Sequence, residues 1–371
     1  MSALAFLPQK KLNMRILFIS PYPTGEAPSQ RFRFEQYFPA LRQQGIEYDT
    51  SPFLDKKAWD ILYKPGHWGG KIAAIFRGCF RRLGDLFRMV KYDVVFIHRE
   101  AAPAGWPIFE WLITHLFKKH TVYDFDDAIW IPNASESNSK LTMFLKRFRN
   151  TEDICRWVSV VSVGNNFLGE FARKFNKNVV YNPTTIDTRE HHNTTTDHTN
   201  HVFTIGWTGS HSTLQYLDPL VPVLEELEKK FKFEFHVICD VPPKWKLNSL
   251  RFIKWSKQAE IHDLLNFNIG VMPLPDDIWS KGKCGFKALQ YMALGIPAVV
   301  SDVGVNADIV DHDQNGCLCR NLEEWKFYLE KLMSDEAYLR RLSQHTREKI
   351  VSKFSVESNT PNFLSLFKPG K

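Results

Sequence analysis

Short apolar runs recur along the chain, each followed by a stretch whose apolar positions fall three or four residues apart. In the N-terminal half the runs are Ile16–Ser20, Val94–His98, Val122–Phe125, Val158–Val163 and Val179–Tyr181, with helical spacing at Arg31–Gln44, Pro107–Lys118 and Lys140–Arg149. The C-terminal half repeats the scheme. Its runs are Phe203–Trp207, Phe235–Cys239, Phe252–Trp255, Ile269–Met272 and Ala298–Ser301, with helices at Thr213–Lys230, Ala259–Asn266 and Glu323–Ser334. Strands that are apolar on both faces and alternate with helices predict parallel sheets covered on both sides. The fold class is therefore α/β, with two doubly wound domains.

The joint between the halves is readable. Residues 182–200, NPTTIDTREHHNTTTDHTN, carry almost no apolar side chains and read as a linker. His191, His192, His198 and His201 crowd there, and a solvated loop explains them better than a metal site. The expected divisions are a tail over 1–13, a domain over 14–182, a linker over 183–200, a second domain over 201–345 and a closing segment over 346–371.

At 371 residues the chain is long enough for two cores. A net charge of +7 directs some face toward anions, whether nucleotide diphosphates, anionic lipid or nucleic acid. Nucleic acid is the weakest of these, because no nucleic-acid module accompanies the charge. The six cysteines are scattered without a Cys-x-x-Cys pair, which argues against a disulfide framework or zinc site and fits a reducing cytoplasm. Cys317 and Cys319 read as part of one strand. No apolar run approaches the roughly 18 residues needed to span a bilayer. The residues before Arg15 lack a signal-peptide core, and with Met14 as a candidate start, 1–13 read as dispensable.

The densest chemistry lies between Asp276 and Asp302. Asp276, Asp277, Ser280 and Gly282 make a loop, a helix runs from Lys283 or Cys284 to Leu294, Gly295 closes it, and Pro297 opens an apolar strand. At about 100° per residue, Lys283, Lys287 and Gln290 share one sector, while Phe286, Leu289 and Ala293 face a core. Two ammonium groups beside a helix N-terminus suit a diphosphate, with Gln290 bonding a sugar or ribose hydroxyl. Solvated lysines on an amphipathic surface helix satisfy the same spacing.

Other candidates sit where strands end, the place for ligands in open α/β sheets. Thr208, Gly209, Ser210 and His211 follow the first C-terminal-half strand and offer backbone N–H groups to phosphate; Asp240 and Trp255 end later strands and can frame a base. In the N-terminal half, Gly25 lies in a Pro- and Gly-rich turn that lacks a GxGxxG fingerprint, and Arg31 and Arg33 open the next helix, as phosphate contacts or as ordinary surface arginines. His98 and Arg99 end one strand, and Asp126 and Asp127 end another, placed to orient acceptor hydroxyls or Arg99; a metal site is the lesser reading. Within residues 71–91, Ile72, Ile75, Phe76, Cys79, Phe80, Leu83, Leu86, Phe87 and Val90 recur at helical spacing. Against one acid, Asp85, stand Lys71, Arg77, Arg81, Arg82, Arg88 and Lys91. This pattern suits an anionic membrane surface, and equally a basic helix packed on its own domain.

The helix, Tyr291-Met292-Ala293-x-Gly295-x-Pro297 and the apolar strand together resemble the donor segment of family 4 glycosyltransferases, enzymes of the GT-B fold. Asn182-Pro183-Thr184-Thr185-Ile186-Asp187 resembles the linker entrance of that fold. The resemblance is firm from about Phe203 to Cys319 and looser from Arg15 to Asp187. It departs at two places. The family's two glutamates, with seven residues between them, are replaced by Gly282 and Gln290, and Lys283 and Lys287 are similar to a subgroup that lacks them.

The resemblance implies two Rossmann-like domains facing a cleft, acceptor-side over 14–182 and nucleotide-sugar-binding over 201–345, with a last helix crossing back. It implies transfer, with retention, of a sugar from a nucleotide diphosphate sugar such as a UDP-sugar to a glycan or lipid-linked acceptor in cell-surface polysaccharide synthesis. His98 would contact the donor sugar, and Gly25 and Asp276 would belong to the donor side. No metal or other cofactor is required. The expected place is the cytoplasm, peripheral to the inner face of the plasma membrane. The rivals are an inactive sugar-nucleotide- or glycan-binding subunit and a GT-B sugar-nucleotide epimerase.

Overall fold

A computed structural model describes residues 14–62, 64, 66–103, 105–131, 149–198 and 202–368. The tail 1–13, His201 and the predicted helix 140–149, apart from Arg149, lie outside the described residues. The chain forms two compact units, Met1–Pro183 with Thr360–Lys371, and Thr184–Asn359.

In the first unit six parallel strands run in the order β2-β1-β3-β4-β5-β6. They are β1 (Arg15–Ser20), β2 (Glu47–Pro52), β3 (Val94–His98), β4 (His120–Phe125), β5 (Val160–Val163) and β6 (Val179–Tyr181). Strand β2 escapes the sequence pattern because it is an edge strand, Glu-Tyr-Asp-Thr-Ser-Pro, only part-covered and therefore polar. The helix expected over Arg31–Gln44 is broken into Pro28–Arg31, a 3-10 turn Glu35–Tyr37 and Phe38–Gln43. The break turns Arg33 and Phe34 inward, where both are buried. Phe18 packs on Phe34, Phe38 and Phe96 with ring centres 5.1–5.4 Å apart. The end of the chain completes this aromatic core, Phe363 stacking on Tyr37 at 4.2 Å.

The long helix Trp68–Arg88 runs unbroken through Gly78 and Gly84. A Cβ at Gly78 would stand 2.5 Å from the Phe53 ring, so this glycine marks the helix's contact with the chain beyond β2. Arg82, expected on the basic outer face, is instead buried. It donates to the carbonyls of Ala101 (2.7 Å), Ser51 (3.0 Å) and Ser20 (3.0 Å) and pairs with Asp85 at 3.1 Å.

The second unit holds six parallel strands in the order β12-β11-β10-β7-β8-β9. They are β7 (Phe203–Thr208), β8 (Phe233–Cys239), β9 (Leu250–Lys254), β10 (Ile269–Met272), β11 (Ala298–Ser301) and β12 (Gly316–Cys319). The polar stretch after Asn182 is solvated only in part: Arg189, Glu190 and residues 193–195 are exposed, but its first half is packed in. Thr185, Ile186 and His192 are fully buried, and Ile186 bridges to Ser355. Arg347 explains how a polar segment is buried at low cost. Its guanidinium donates to the carbonyls of Thr188 (2.9 Å), His192 (2.8 Å) and Ala293, satisfying backbone acceptors that an apolar neighbour would strand.

Candidate active site

Because all strands of the second unit are parallel, their carboxyl ends lie at one edge of the sheet. Thr208 ends β7, and Asp240, Trp255, Pro273 and Asp302 follow β8, β9, β10 and β11. At this edge the expected loop itself holds a short helix, and the donor helix starts at Phe286 rather than at Lys283 or Cys284. Asp277 caps the first, Ile278–Lys281, accepting from the Ser280 N–H at 2.7 Å. The second, Phe286–Ala293, begins after Gly285 at φ +67°, where a Cβ would lie 2.1 Å from Ile309 Cδ1.

The common sector predicted for Lys283, Lys287 and Gln290 is therefore not formed. Lys283 lies in the turn, and Gln290 faces inward, 1% exposed, its Nε2 without a hydrogen-bond partner among the described residues. The reason is coverage, since every residue from Ala288 to Ala293 is buried. Tyr291 lies over the sheet where Gly270 leaves room, and its hydroxyl accepts from the Thr208 N–H at 3.0 Å.

The two lysines are placed by aromatic faces. Lys283 Nζ stands 4.8 Å from the Trp279 ring centre, and Lys287 Nζ stands 5.5 Å from that of Trp207, the residue before Thr208. An indole face attracts an ammonium group and holds it over the ring. Asp276 pairs with Lys281 at 3.0 Å.

The turn after β7 differs from expectation. The His211 N–H and Nδ1 both bond Asp240, at 2.7 Å each, and Ser210 Oγ lies 2.9 Å from Ser212 Oγ. A carboxylate thus occupies the start of the helix His211–Leu214, where a phosphate was expected. Partial burial pushes the Asp240 carboxyl up, but the bonds from His211 and Cys239 prevail and hold it below its ordinary range. A Cβ at Gly209 would lie 2.5 Å from the Trp207 ring, so the close turn requires glycine. Trp255 is half-buried, its Nε1 donating to Glu260 at 3.3 Å.

In the first unit a buried network spans the ends of β3, β4 and β5. Asp124 accepts from His98 Nδ1 (2.8 Å), Ser162 Oγ (2.6 Å) and the Arg33 guanidinium, which also donates to the Asn182 carbonyl. Arg33 is therefore not a surface phosphate contact but a fully buried structural ion. Burial alone would raise the Asp124 carboxyl; Arg33 and His98 reverse this and hold it well below the carboxylate range. With Asp124 ionised, His98 donates from Nδ1, and its Nε2 is a buried atom with no hydrogen-bond partner among the described residues.

Arg99, at φ +60°, forks to Asp126 Oδ1 (2.7 and 2.9 Å) and Asp127 Oδ2 (2.7 Å). Both carboxylates thus share one guanidinium. Among the described residues no three His, Cys, Asp or Glu side chains are placed to hold a metal ion.

The Gly25 N–H, expected to approach a ligand, donates to Glu35 at 2.8 Å. Glu35 also accepts from Gln30 at 3.1 Å, and burial raises its carboxyl pKa. Arg31 lies over Phe32, 5.0 Å from the ring centre. Ser162, Gln30 and Glu35 carry no signal in the sequence. Asp124 carried a signal, as an acid inside an otherwise apolar strand whose burial demands a partner.

Residues 202–335 match the family model described as "Glycosyl transferases group 1". No curated protein sequence matches the chain. Among solved structures, sucrose-phosphate synthase from Thermosynechococcus elongatus is similar at 12% identity and a TM-score of 0.65, covering 95% of this chain and 98% of that one. The Anabaena protein HepE in complex with UDP and glucose is similar at 13% identity and a TM-score of 0.63, with coverage of 95% and 98%. The catalytic domain of starch synthase IV from Arabidopsis thaliana, bound to ADP and acarbose, is similar at 10% identity and a TM-score of 0.67, again covering 95% and 98%. Two parallel six-stranded sheets and a chain-long likeness to these structures show that the chain has the GT-B fold, and its residues 202–335, which carry Lys283 and Lys287, match the group 1 glycosyltransferase family model.

Proposed function

We propose that the protein transfers a sugar, with retention of configuration, from a nucleotide diphosphate sugar to a glycan or lipid-linked acceptor, in the synthesis of a cell-surface polysaccharide. The observation that carries the reading is the pair Lys283 and Lys287. Both ammonium groups are steered by indole faces at the carboxyl edge of the second unit's sheet. A leaving diphosphate gains negative charge as the glycosidic bond breaks, and fixed cations stabilise that charge in the transition state. Complexes of HepE with UDP and UDP-glucose, and of starch synthase IV with ADP, support a nucleoside diphosphate as the leaving group.

The roles follow from the chemistry of each group. Lys283 and Lys287 bind the diphosphate, the Thr208–His211 turn and Trp255 frame the nucleoside, and Asp240 organises that turn. In the first unit, His98 Nε2 accepts a hydrogen bond from a sugar hydroxyl, with Asp124 as its positioning residue. Arg99, Asp126 and Asp127 form a polar cluster for acceptor hydroxyls. The protein works without a metal cofactor, at the inner face of the cytoplasmic membrane.

A second reading, a subunit that binds sugar nucleotide without turnover, is favoured by Gly282 and Gln290 at the places of the two glutamates. Product analysis separates the two. Incubation with UDP- and GDP-sugars and membrane lipid or glycan acceptors is expected to release nucleotide and yield glycosylated acceptor. Binding with neither hydrolysis nor transfer supports the subunit, and donor interconversion without acceptor supports an epimerase.

A further inference from the structure

The helix Trp68–Arg88 packs on its unit with its small and polar side. Ala74, Gly78, Arg82 and Asp85 are buried, followed by Met89 just beyond the helix. The apolar sequence stripe faces out instead. Phe76 is 62% exposed, Phe80 70% and Phe87 87%, and Ile72, Leu83 and Val90 accompany them. This inverts the usual amphipathic helix, in which the apolar stripe meets the core. A contiguous exposed apolar row of this kind marks an interaction surface.

Charge identifies the occupant. At about 100° per residue, Arg77, Arg81, Arg88 and Lys91 form a basic row beside the apolar row, on the solvent side. The segment's single acid, Asp85, is buried. Arg81 donates to the carbonyls of Pro52 (2.6 Å) and Phe53 (2.8 Å) rather than to carboxylates. Arg77 pairs with the part-exposed Asp55 at 3.2 Å and Arg88 with the buried Asp85 at 2.7 Å, so the basic row keeps an excess of positive charge, and phenylalanines beside it match the boundary between acyl chains and anionic headgroups. No described helix is long and apolar enough to cross a membrane, so the contact is interfacial.

We propose that this face lies on an anionic lipid bilayer, with the phenylalanines at headgroup depth and the basic row against lipid phosphate. The proposal stands on this helix and not on the donor reading of the second unit.

The test is co-sedimentation of the full chain with vesicles of phosphatidylcholine alone or with 30 mol% phosphatidylglycerol, at two salt concentrations. The wild type is expected to sediment with the anionic vesicles, less so at high salt. Phe76→Ser/Phe80→Ser/Phe87→Ser should lower partitioning at least tenfold while keeping the wild-type circular dichroism melt and nucleotide affinity. Arg77→Gln/Lys91→Gln should weaken binding and flatten its salt dependence. Because the serine variant can misfold, quenching by brominated lipid is read in the wild type as well, and its Trp68 share should vanish in Trp68→Phe. Failure of the wild type to bind anionic vesicles overturns the proposal. So does a dimer, seen by light scattering, that the serine variant converts to monomer, since a second copy would then cover the face. Loss of UDP and GDP binding with vesicle binding retained would refute the donor reading alone.

Discussion

His98 Nδ1 and Asp124 Oδ2 stand 2.8 Å apart with both side chains fully buried, and Asp124 is at the same time the counter-ion of Arg33. One carboxylate therefore bonds a histidine and neutralises a buried cation. Replacing Asp124 by Asn leaves Arg33 charged and without its partner. Breaking a buried pair in this way costs about 3–5 kcal/mol. Urea unfolding of Asp124→Asn should show a lower midpoint for the first unit's transition; an unchanged midpoint would contradict the network.

The same unit should respond to pH with two opposing slopes. Glu35 has a raised folded pKa, so its neutral form stabilises the fold. That contribution is complete below the ordinary value of about 4.3 and is lost as pH rises through the folded value. Asp124 has a depressed pKa; its contribution is present above about 3.9 and is lost as pH falls through the folded value. Melting temperature followed across acidic pH should therefore rise on mild acidification and fall on stronger acidification. Glu35→Gln should remove the rise and leave the fall.

Gly78→Leu probes the seat of the long helix. Its Cβ would meet the Phe53 ring at 2.5 Å, and overpacking of this kind costs about 1–3 kcal/mol. Chemical denaturation should show that loss, while Gly84→Leu, at a position with nothing within 4 Å, should fall well short of it.

Asp240 occupies the His211 N–H that a phosphate would otherwise use. Removing its charge should favour an anion beside it. The side chain is 47% exposed, so screening limits the gain to no more than about 1 kcal/mol. Asp240→Asn is expected to bind nucleoside diphosphate up to roughly fivefold more tightly at low salt, the gain fading as salt is raised. Weaker binding would mean that the carboxylate itself contacts the nucleoside.

What the sequence made legible follows from how local each signal was. The buried strands β3, β10 and β11 are short apolar runs between helices, and a period of apolar positions is enough to find them. Strand β2 is polar because it lies at an edge, so no period betrays it. The donor segment was readable as loop, helix, turn and strand. The helix start at Phe286 was not, because Gly285 is required by Ile309, a contact from a different part of the chain. Arg33 and Arg82 read as surface cations since nothing local shows that Asp124, 91 residues away, and the Ser20 carbonyl, 62 residues away, are their partners. The apolar face of the long helix was legible as a stripe, but only the packing shows that it points outward.

Lys283 and Lys287 are the proposed diphosphate site. Isothermal titration of UDP and GDP into the wild type and into Lys283→Ala/Lys287→Ala, at one fixed salt concentration, tests it most directly. Charge-assisted contacts are worth about 1.5–3 kcal/mol each, so the double variant should bind at least roughly a hundredfold more weakly. Micromolar binding of one nucleotide by the wild type, lost in the variant, is the predicted result. Equal affinity in both proteins, or no binding of either nucleotide by the wild type, would contradict it.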